Sequence, residues 1–385
     1  MIKSICVISP GFPSEEKPYE FTFVDQLVCA MADKGIKICV ITPHDALKTK
    51  KMFTQIWYRK TPRGKIIEVF SPSVLTLTTR KIGIINLSIL SEWLYKKAIK
   101  KMMFKHSIKP DILYGHFLFK SGTSAASIGK ELGIPSVCAF GESNLWSIRE
   151  IGIKRARKKL EPLDGVIAVS TNNKNVLVDN HLVDEKKITV IPNAVDKSIF
   201  YPGDKTSARQ KLNIPEDAFI GVFNGSYSFQ KGSLRVDEAS IGIDGLYMAY
   251  LGGGADEPHG ANIIFKGRVP HKDVPDWLRA ADFFILPTVE EGCCNAIVEA
   301  MSTGLPIITS DKPFNYDILD SQSAILIDPM NIQEIHNAIK KIMKSDQLRT
   351  SLGNESLKKS ENLDINLRAD KIITFLNSLC IKNNN

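Results

Sequence analysis

The chain has 385 residues, 43% of them hydrophobic and 24% charged, with 25 Gly and 19 Pro, a composition that excludes disordered and fibrous proteins and a length that suits about two domains. Its seven cysteines (Cys6, Cys29, Cys39, Cys138, Cys293, Cys294, Cys380) are odd in number and lie mostly in apolar runs, which excludes a disulfide scaffold, and no CxxC pair suggests zinc. The net charge of +8 is uneven: residues 1–190 carry 30 Lys and Arg against 17 Asp and Glu, whereas 191–385 carry 20 against 25.

The opening stretch MIKSICVISPGF sets a lysine before a short apolar run that stops at a Pro-Gly turn, too short for a signal peptide, and 5–9 is predicted as the first strand. A helix follows over 21–34, then strands at 37–42, 66–70, 112–114, 136–139 and 166–170. No run of about eighteen apolar residues is uninterrupted, the nearest being 82–90 with its polar breaks, so no spanning helix is expected and the protein is placed in the cytoplasm. Two basic clusters stand out: Lys96, Lys97, Lys100, Lys101, Lys105 and Lys109, alternating with Ile99, Met102, Met103 and Phe104, and then Lys154, Arg155, Arg157, Lys158 and Lys159. A helix over the first cluster sets a basic face beside an apolar one, which predicts peripheral contact with the inner face of an anionic membrane. The same residues also fit a solvated helix whose Met and Phe pack on a core. No nucleic-acid motif accompanies the charge, so nucleic acid is not an expected partner.

In the second half, strands are predicted at 188–191, 219–224, 246–251, 263–267, 283–286, 307–309 and 324–327, and a last helix at 365–380 precedes a frayed tail. Short strands alternating with helical patterns in both halves predict an α/β protein with two doubly wound parallel sheets. The boundary falls near IPNAVDKSIFYPGDK, giving domains 1–190 and 191–364, with 365–385 as a helix packing back toward the first domain. Parallel sheets bind ligands beyond the carboxyl ends of their strands, so a cleft between the two domains is the expected site.

The segment LPTVEEGCCNAIVEAMSTGLPII (286–308) carries the clearest chemistry. A strand ends at Pro287, a loop bears Glu290 and Glu291, and Gly292 leads into a helix from about Asn295 to Ser302. Glu291 in the loop and Glu299 in the helix can face one ligand. Carboxylates accept from vicinal hydroxyls, while the backbone N–H groups of Gly292, Cys293, Cys294 and Asn295 donate at a helix end worth roughly +0.5 charge. Sugar and phosphate together fit that pattern; taken singly, each glutamate also reads as a solvated charge. Gly252-Gly253-Gly254 is not a dinucleotide fingerprint, because GxGxxG fails at Glu257.

At this segment the sequence resembles the retaining glycosyltransferases of family 4, which have the GT-B fold of two Rossmann-like domains. Glu291-x7-Glu299, then Ala300-Met301 and Gly304-Leu305-Pro306, is similar to their E-x7-E signature and the GxP before the next strand. VIAVS, VIPNAVD, Lys231-Gly232, LGGG and GRVPHKDVPDWLRAADFFILPT extend the resemblance over the chain. It implies transfer of a sugar from a nucleotide-diphosphate donor to a glycan or lipid-linked acceptor hydroxyl in bacterial-type cell-surface polysaccharide or glycolipid assembly. The configuration would be retained, with no cofactor and no metal; the lack of any D-x-D agrees. By the same resemblance, Glu299 holds the ribose, Glu291 the donor sugar and Lys231 the diphosphate. Gly292, Cys293, Cys294 and Asn295 complete the donor site, and Arg268 and Val269 frame the base. His116 lies near the reacting sugar, and Gly11 faces diphosphate and acceptor. His116 equally suits a hydrogen-bonded structural histidine.

Three departures qualify this. SYSFQKG places Gln230 where many members have an Arg beside the Lys, leaving Arg235 or Arg268 as substitutes. Phe140-Gly141-Glu142 stands where many carry His-Gly, and Ala194 replaces a frequent glycine. A nucleotide-sugar epimerase and a catalytically weak sugar-nucleotide-binding relative are the alternatives.

Overall fold

The computed structural model describes residues 1–76, 81–82 and 85–382; of the frayed tail expected at 382–385, Lys382 ends the last helix and 383–385 lie outside the described residues, as do 83–84 of the apolar stretch 82–90. The chain forms two compact units, one of residues 1–191 with the C-terminal segment from Asn366 onward, the other of Pro192–Ile365.

In the first unit the β-branched and apolar runs form strands β1 (Ser4–Ile8), β2 (Lys37–Ile41), β3 (Gln55–Lys60), β4 (Ile66–Ser71), β5 (Ile112–His116), β6 (Ser136–Phe140), β7 (Gly165–Ala168) and β8 (Ile188–Val190). They make one sheet in the order β8-β7-β6-β5-β1-β2-β4-β3. All neighbours are parallel except β3, which runs antiparallel to β4 at the edge, with Tyr58 opposite Glu68. The sequence pattern does not reveal β3, because QIWYRK mixes apolar and charged residues and exposes alternate side chains.

The long helix Leu87–Lys105 packs Tyr95, Ile99, Met102 and Met103 against Cys6, Ile8 and Leu113 of the sheet. Ile99 and both methionines are thus core, as the solvated-helix reading expects, whereas Phe104 is not. The outer face of the helix exposes Leu90 (43%), Trp93 (49%) and Phe104 (68%) beside Lys97, Lys101 and Lys105, with the Lys97 ammonium 5.0 Å from the Trp93 ring centre.

The C-terminal helix Ile365–Lys382 belongs mainly to the first unit, and buries Ala369, Ile372 and Leu376. Asn377 Oδ1 accepts the Ile2 N–H at 2.7 Å, and Lys34 pairs with Asp370 at 2.7 Å. A Cβ at Gly165 would come within 2.6 Å of the Phe375 ring, so the glycine opening β7 is what admits the helix.

The second unit is a six-stranded parallel sheet of β9 (Phe219–Asn224), β10 (Leu246–Leu251), β11 (Ile263–Gly267), β12 (Phe283–Leu286), β13 (Ile307–Ser310) and β14 (Ala324–Ile327). Its order is β11-β10-β9-β12-β13-β14, the arrangement of a dinucleotide-binding sheet. Strand order reverses between β9 and β12 here, and between β1 and β5 in the first unit. Loops leaving two such neighbours in opposite directions leave a crevice at their carboxyl ends, which fixes where each unit's side chains converge. Among the described residues no helix is long and apolar enough to cross a membrane.

Candidate functional site

The second unit's crevice is built from the loop after β9 and the loop after β12. Lys231 ends the first loop and Glu291 lies in the second, and their side chains form an ion pair. Burial alone would lower the Lys231 pKa, but the charge and hydrogen bond of the Glu291 carboxylate hold it up, so the ammonium stays charged. Cys294 itself is pushed up to about 11 by burial, against the pull of Lys231, and is a neutral thiol. The helix Asn295–Ser302 starts directly after it with no side-chain cap, so its first amides carry the positive end of the helix dipole.

Glu299 lies on the buried side of that helix and is only 6% exposed, unlike a solvated surface charge. Asn224, the last residue of β9, donates from Nδ2 to Glu299 Oε2 at 3.3 Å, and His271 Nε2 donates to Oε1 at 3.0 Å. Each oxygen keeps a lone pair beyond these bonds. Burial would lower the His271 pKa, but the hydrogen bond and charge of Glu299 prevail and raise it. His271 is brought in by the turn after β11, and its ring meets Phe200 edge-on at 5.3 Å.

The remaining loop residues hold these groups in place. Gln230 Nε2 donates to the Glu290 carbonyl at 2.8 Å, and Val289 N–H donates to the Gln230 carbonyl at 2.9 Å, so the residue standing for a second cation ties the Lys231 loop to the Glu291 loop. Arg235, one of the two candidate substitute cations, is buried, and its guanidinium donates to the Phe229 carbonyl at 2.8 Å and the Pro287 carbonyl at 2.9 Å. Gly232 has φ 83°, and a Cβ there would approach Arg235 Nη2 to 2.6 Å and the Pro287 oxygen to 2.9 Å. The Gly252–Gly254 run serves close approach, because a Cβ at Gly252 would strike the Gly225 carbonyl, and Tyr227 N–H donates to the Gly253 carbonyl at 3.0 Å. Arg268, exposed after β11, lies over Gly253, where a Cβ would come within 3.1 Å of its Nε, and Val269 follows half-buried.

Lys231, Glu291, Glu299, Gly292, Cys293, Cys294 and Asn295 therefore gather at the ends of β9 and β12, with Arg268 and Val269 beyond β10 at the end of β11. Gly292, Cys293 and Cys294 are buried, and Asn193 Nδ2 donates to the Cys293 carbonyl at 2.8 Å. Asn224 and His271 escape a reading of sequence alone. The only signal for Asn224 is its place at a strand end before glycine, and His271 sits in a three-residue turn with no spacing relation to Glu299. Among the described residues no three His, Cys, Asp or Glu side chains are grouped as metal ligands.

Gly11 and His116 lie in the first unit, after β1 and at the end of β5, on either side of that unit's own strand reversal. A side chain at Gly11 would strike the Phe21 ring, which packs 5.9 Å from Phe117; Phe23 lies 5.5 Å from the His116 ring. Burial, helped by the Arg368 charge, lowers the His116 pKa to about 3, so the imidazole is neutral. Its Nδ1 is buried with no hydrogen-bond partner, which sets it apart from a satisfied core histidine.

The chain matches two family models, "Glycosyltransferase Family 4" over residues 21–198 and "Glycosyl transferases group 1" over residues 256–359. It is similar to the glycosyltransferase TuaC of Bacillus subtilis, assigned to teichuronic acid biosynthesis, at 27% identity over 354 residues, covering 86% of this chain and 87% of TuaC. It is 26% identical over 311 residues to the Escherichia coli UDP-Gal:alpha-D-GlcNAc-diphosphoundecaprenol alpha-1,3-galactosyltransferase, covering 74% of this chain and 80% of that protein. Among solved structures, sucrose-phosphate synthase from Thermosynechococcus elongatus superimposes with a TM-score of 0.79 at 17% identity, covering 99% of this chain and 100% of that one. Anabaena HepE in complex with UDP and glucose gives 0.70 at 17% identity, covering 98% and 100%. These neighbours establish the GT-B fold.

Proposed function

We infer the reaction from one premise: this chain belongs to the glycosyltransferases of group 1 and family 4. As a glycosyltransferase it moves a sugar, and we propose that the donor is a nucleotide-diphosphate sugar held by the second unit and that anomeric configuration is retained. The observation that carries this reading is the meeting of Lys231, Glu291 and Glu299 at the strand reversal between β9 and β12. Lys231 and the amides of Gly292, Cys293, Cys294 and Asn295 take the diphosphate, Glu291 the sugar hydroxyls, and Glu299 the ribose hydroxyls through its remaining lone pairs. Arg268 and Val269 frame the base. The UDP complexes of HepE support a nucleotide donor.

Negative charge grows on the diphosphate as the bond to the sugar breaks, and the Lys231 ammonium and helix N-terminus lie where it grows. A diphosphate oxygen on the same face removes the proton of the incoming hydroxyl, so no protein nucleophile is required and the configuration is retained. Lys231 does the work a metal does elsewhere, in keeping with a sequence that has no D-x-D. The first unit, with Gly11 and His116, receives the acceptor. The names of TuaC and the diphosphoundecaprenol galactosyltransferase support a glycan or lipid-linked acceptor in cell-surface polymer assembly. The reading adds that the enzyme works at the cytoplasmic side of a membrane, with the basic outer face of Leu87–Lys105 toward it.

Glu299→Gln and Glu291→Gln test the assignment. The first is expected to weaken nucleoside diphosphate binding about tenfold or more, the second to lower turnover by a similar factor with nucleotide affinity nearly kept. Unchanged kinetics and binding in both variants would remove the site from this crevice.

A further inference from the structure

Glu142 lies two residues beyond β6, at the carboxyl end of the first sheet. Its Oε1 accepts the Leu118 N–H at 3.0 Å, while Oε2 is buried with no hydrogen-bond partner. Leu118 opens a turn of costly geometry. Phe117, directly after His116, has φ 72°, and Lys120 has φ 61° and ψ −60°, values a residue with a side chain holds only where its surroundings impose them.

The surroundings do so through four hydrogen bonds. Phe117 N–H donates to the Ala139 carbonyl at 3.1 Å, Gly122 N–H to the Phe117 carbonyl at 2.9 Å, and the Cys138 thiol to that same carbonyl at 3.1 Å. The fourth is the Leu118 amide on Glu142. Behind it, Asn173 Nδ2 donates to the Glu142 carbonyl at 3.0 Å and the Phe140 carbonyl at 3.4 Å, and Ser170 Oγ donates to Asn173 Oδ1 at 2.8 Å. A continuous chain thus joins the ends of β7, β6 and β5, and its last link is the residue two beyond His116.

A buried carboxyl is a costly group to place behind a turn. Burial raises the Glu142 pKa to about 7, against the pull of the Leu118, Glu142 and Gly141 N–H groups. Perturbed carboxyls of this kind gather at functional sites. Phe140, on the strand paired with that of His116, is buried in the core and offers no polar group beside it.

We propose that Glu142 is a positioning residue of the transfer site, fixing the turn after β5 and with it the orientation in which His116 and Phe117 meet the acceptor and the reacting sugar. The inference rests on the transferase reading above. The test compares wild type, Glu142→Ala and Glu142→Gln in three measurements: hydrogen exchange over 117–122, nucleoside diphosphate affinity, and release of nucleoside diphosphate from UDP-, GDP- and ADP-glucose. In Glu142→Ala, exchange over 117–122 rises about tenfold and kcat falls about tenfold, with nucleotide affinity within about twofold of wild type. Glu142→Gln restores both, because its side-chain carbonyl accepts the same N–H. A loosened turn with unchanged kcat, loss of kcat and nucleotide affinity together, or no rescue by Gln each overturns the proposal. Should Glu142→Ala not fold, Glu142→Asp, one methylene short of Leu118, carries the comparison. Wild type that neither binds nor releases a nucleotide overturns the transferase reading and this proposal with it; an active wild type with an indifferent Ala variant overturns the proposal alone.

Discussion

Glu299 is a buried carboxylate held from two sides: Asn224 and His271 each occupy one of its oxygens and fix its plane. The His271 partnership makes a pH prediction. Its folded-state pKa is raised above the ordinary 6.5, so its stabilising contribution is fully present below pH 6.5 and is lost as pH rises through the raised value. The melting temperature of wild type minus that of His271→Gln should therefore be largest near about pH 6 and shrink toward about pH 9. A difference that is flat or grows with pH would contradict the pairing. Glu291, Glu299 and Lys231 are legible in the sequence because their spacing is tied to one strand-loop-helix passage and one glycine. His271 and Glu142 are not, because each meets its partner through tertiary packing, 28 and 24 residues away.

At the level of elements, the strands with continuous β-branched runs are readable, since a parallel strand buried on both faces has no polar positions to confuse the pattern. The edge strand β3 is not, since its residues alternate between half-buried and exposed. The long helix Leu87–Lys105 is legible as amphipathic, but its sequence does not say which apolar residues face the core: Ile99, Met102 and Met103 do, while Leu90, Trp93 and Phe104 are left outside. An aromatic residue beside lysines on an exposed face suits an anionic lipid surface, each lysine adding about 1 kcal/mol there. The protein should cosediment with phosphatidylglycerol vesicles at low salt and not with phosphatidylcholine, and the Trp93→Ser/Phe104→Ser variant should lose most of that binding. Equal binding to both lipids, or a variant that binds as well as wild type, would contradict a role for this face.

Across the whole molecule, two sheets of the same design each bring a pair of loops to a strand reversal, and the sequence divides the labour between them. The second unit gathers a cation, two carboxylates and a helix N-terminus; the first gathers a neutral histidine, aromatic rings and a buried acid. The alternation of strands and helices makes both sheets legible before the structure, and the Glu291-x7-Glu299 spacing singles out the crevice of the second unit. What stays hidden is the loop stitching by Gln230, Arg235 and Tyr227, because hydrogen bonds to backbone carbonyls leave no sequence pattern. On the proposed reading Lys231 is the cation that takes the diphosphate, and the central claim stands on it. Calorimetric titration of UDP, GDP and ADP into wild type and Lys231→Met, in the presence of a chelator, tests it most directly. One nucleotide should bind wild type saturably and bind Lys231→Met about tenfold to a hundredfold more weakly, the loss of one charge-assisted contact; no binding by any of the three, or equal binding by both proteins, would contradict the account.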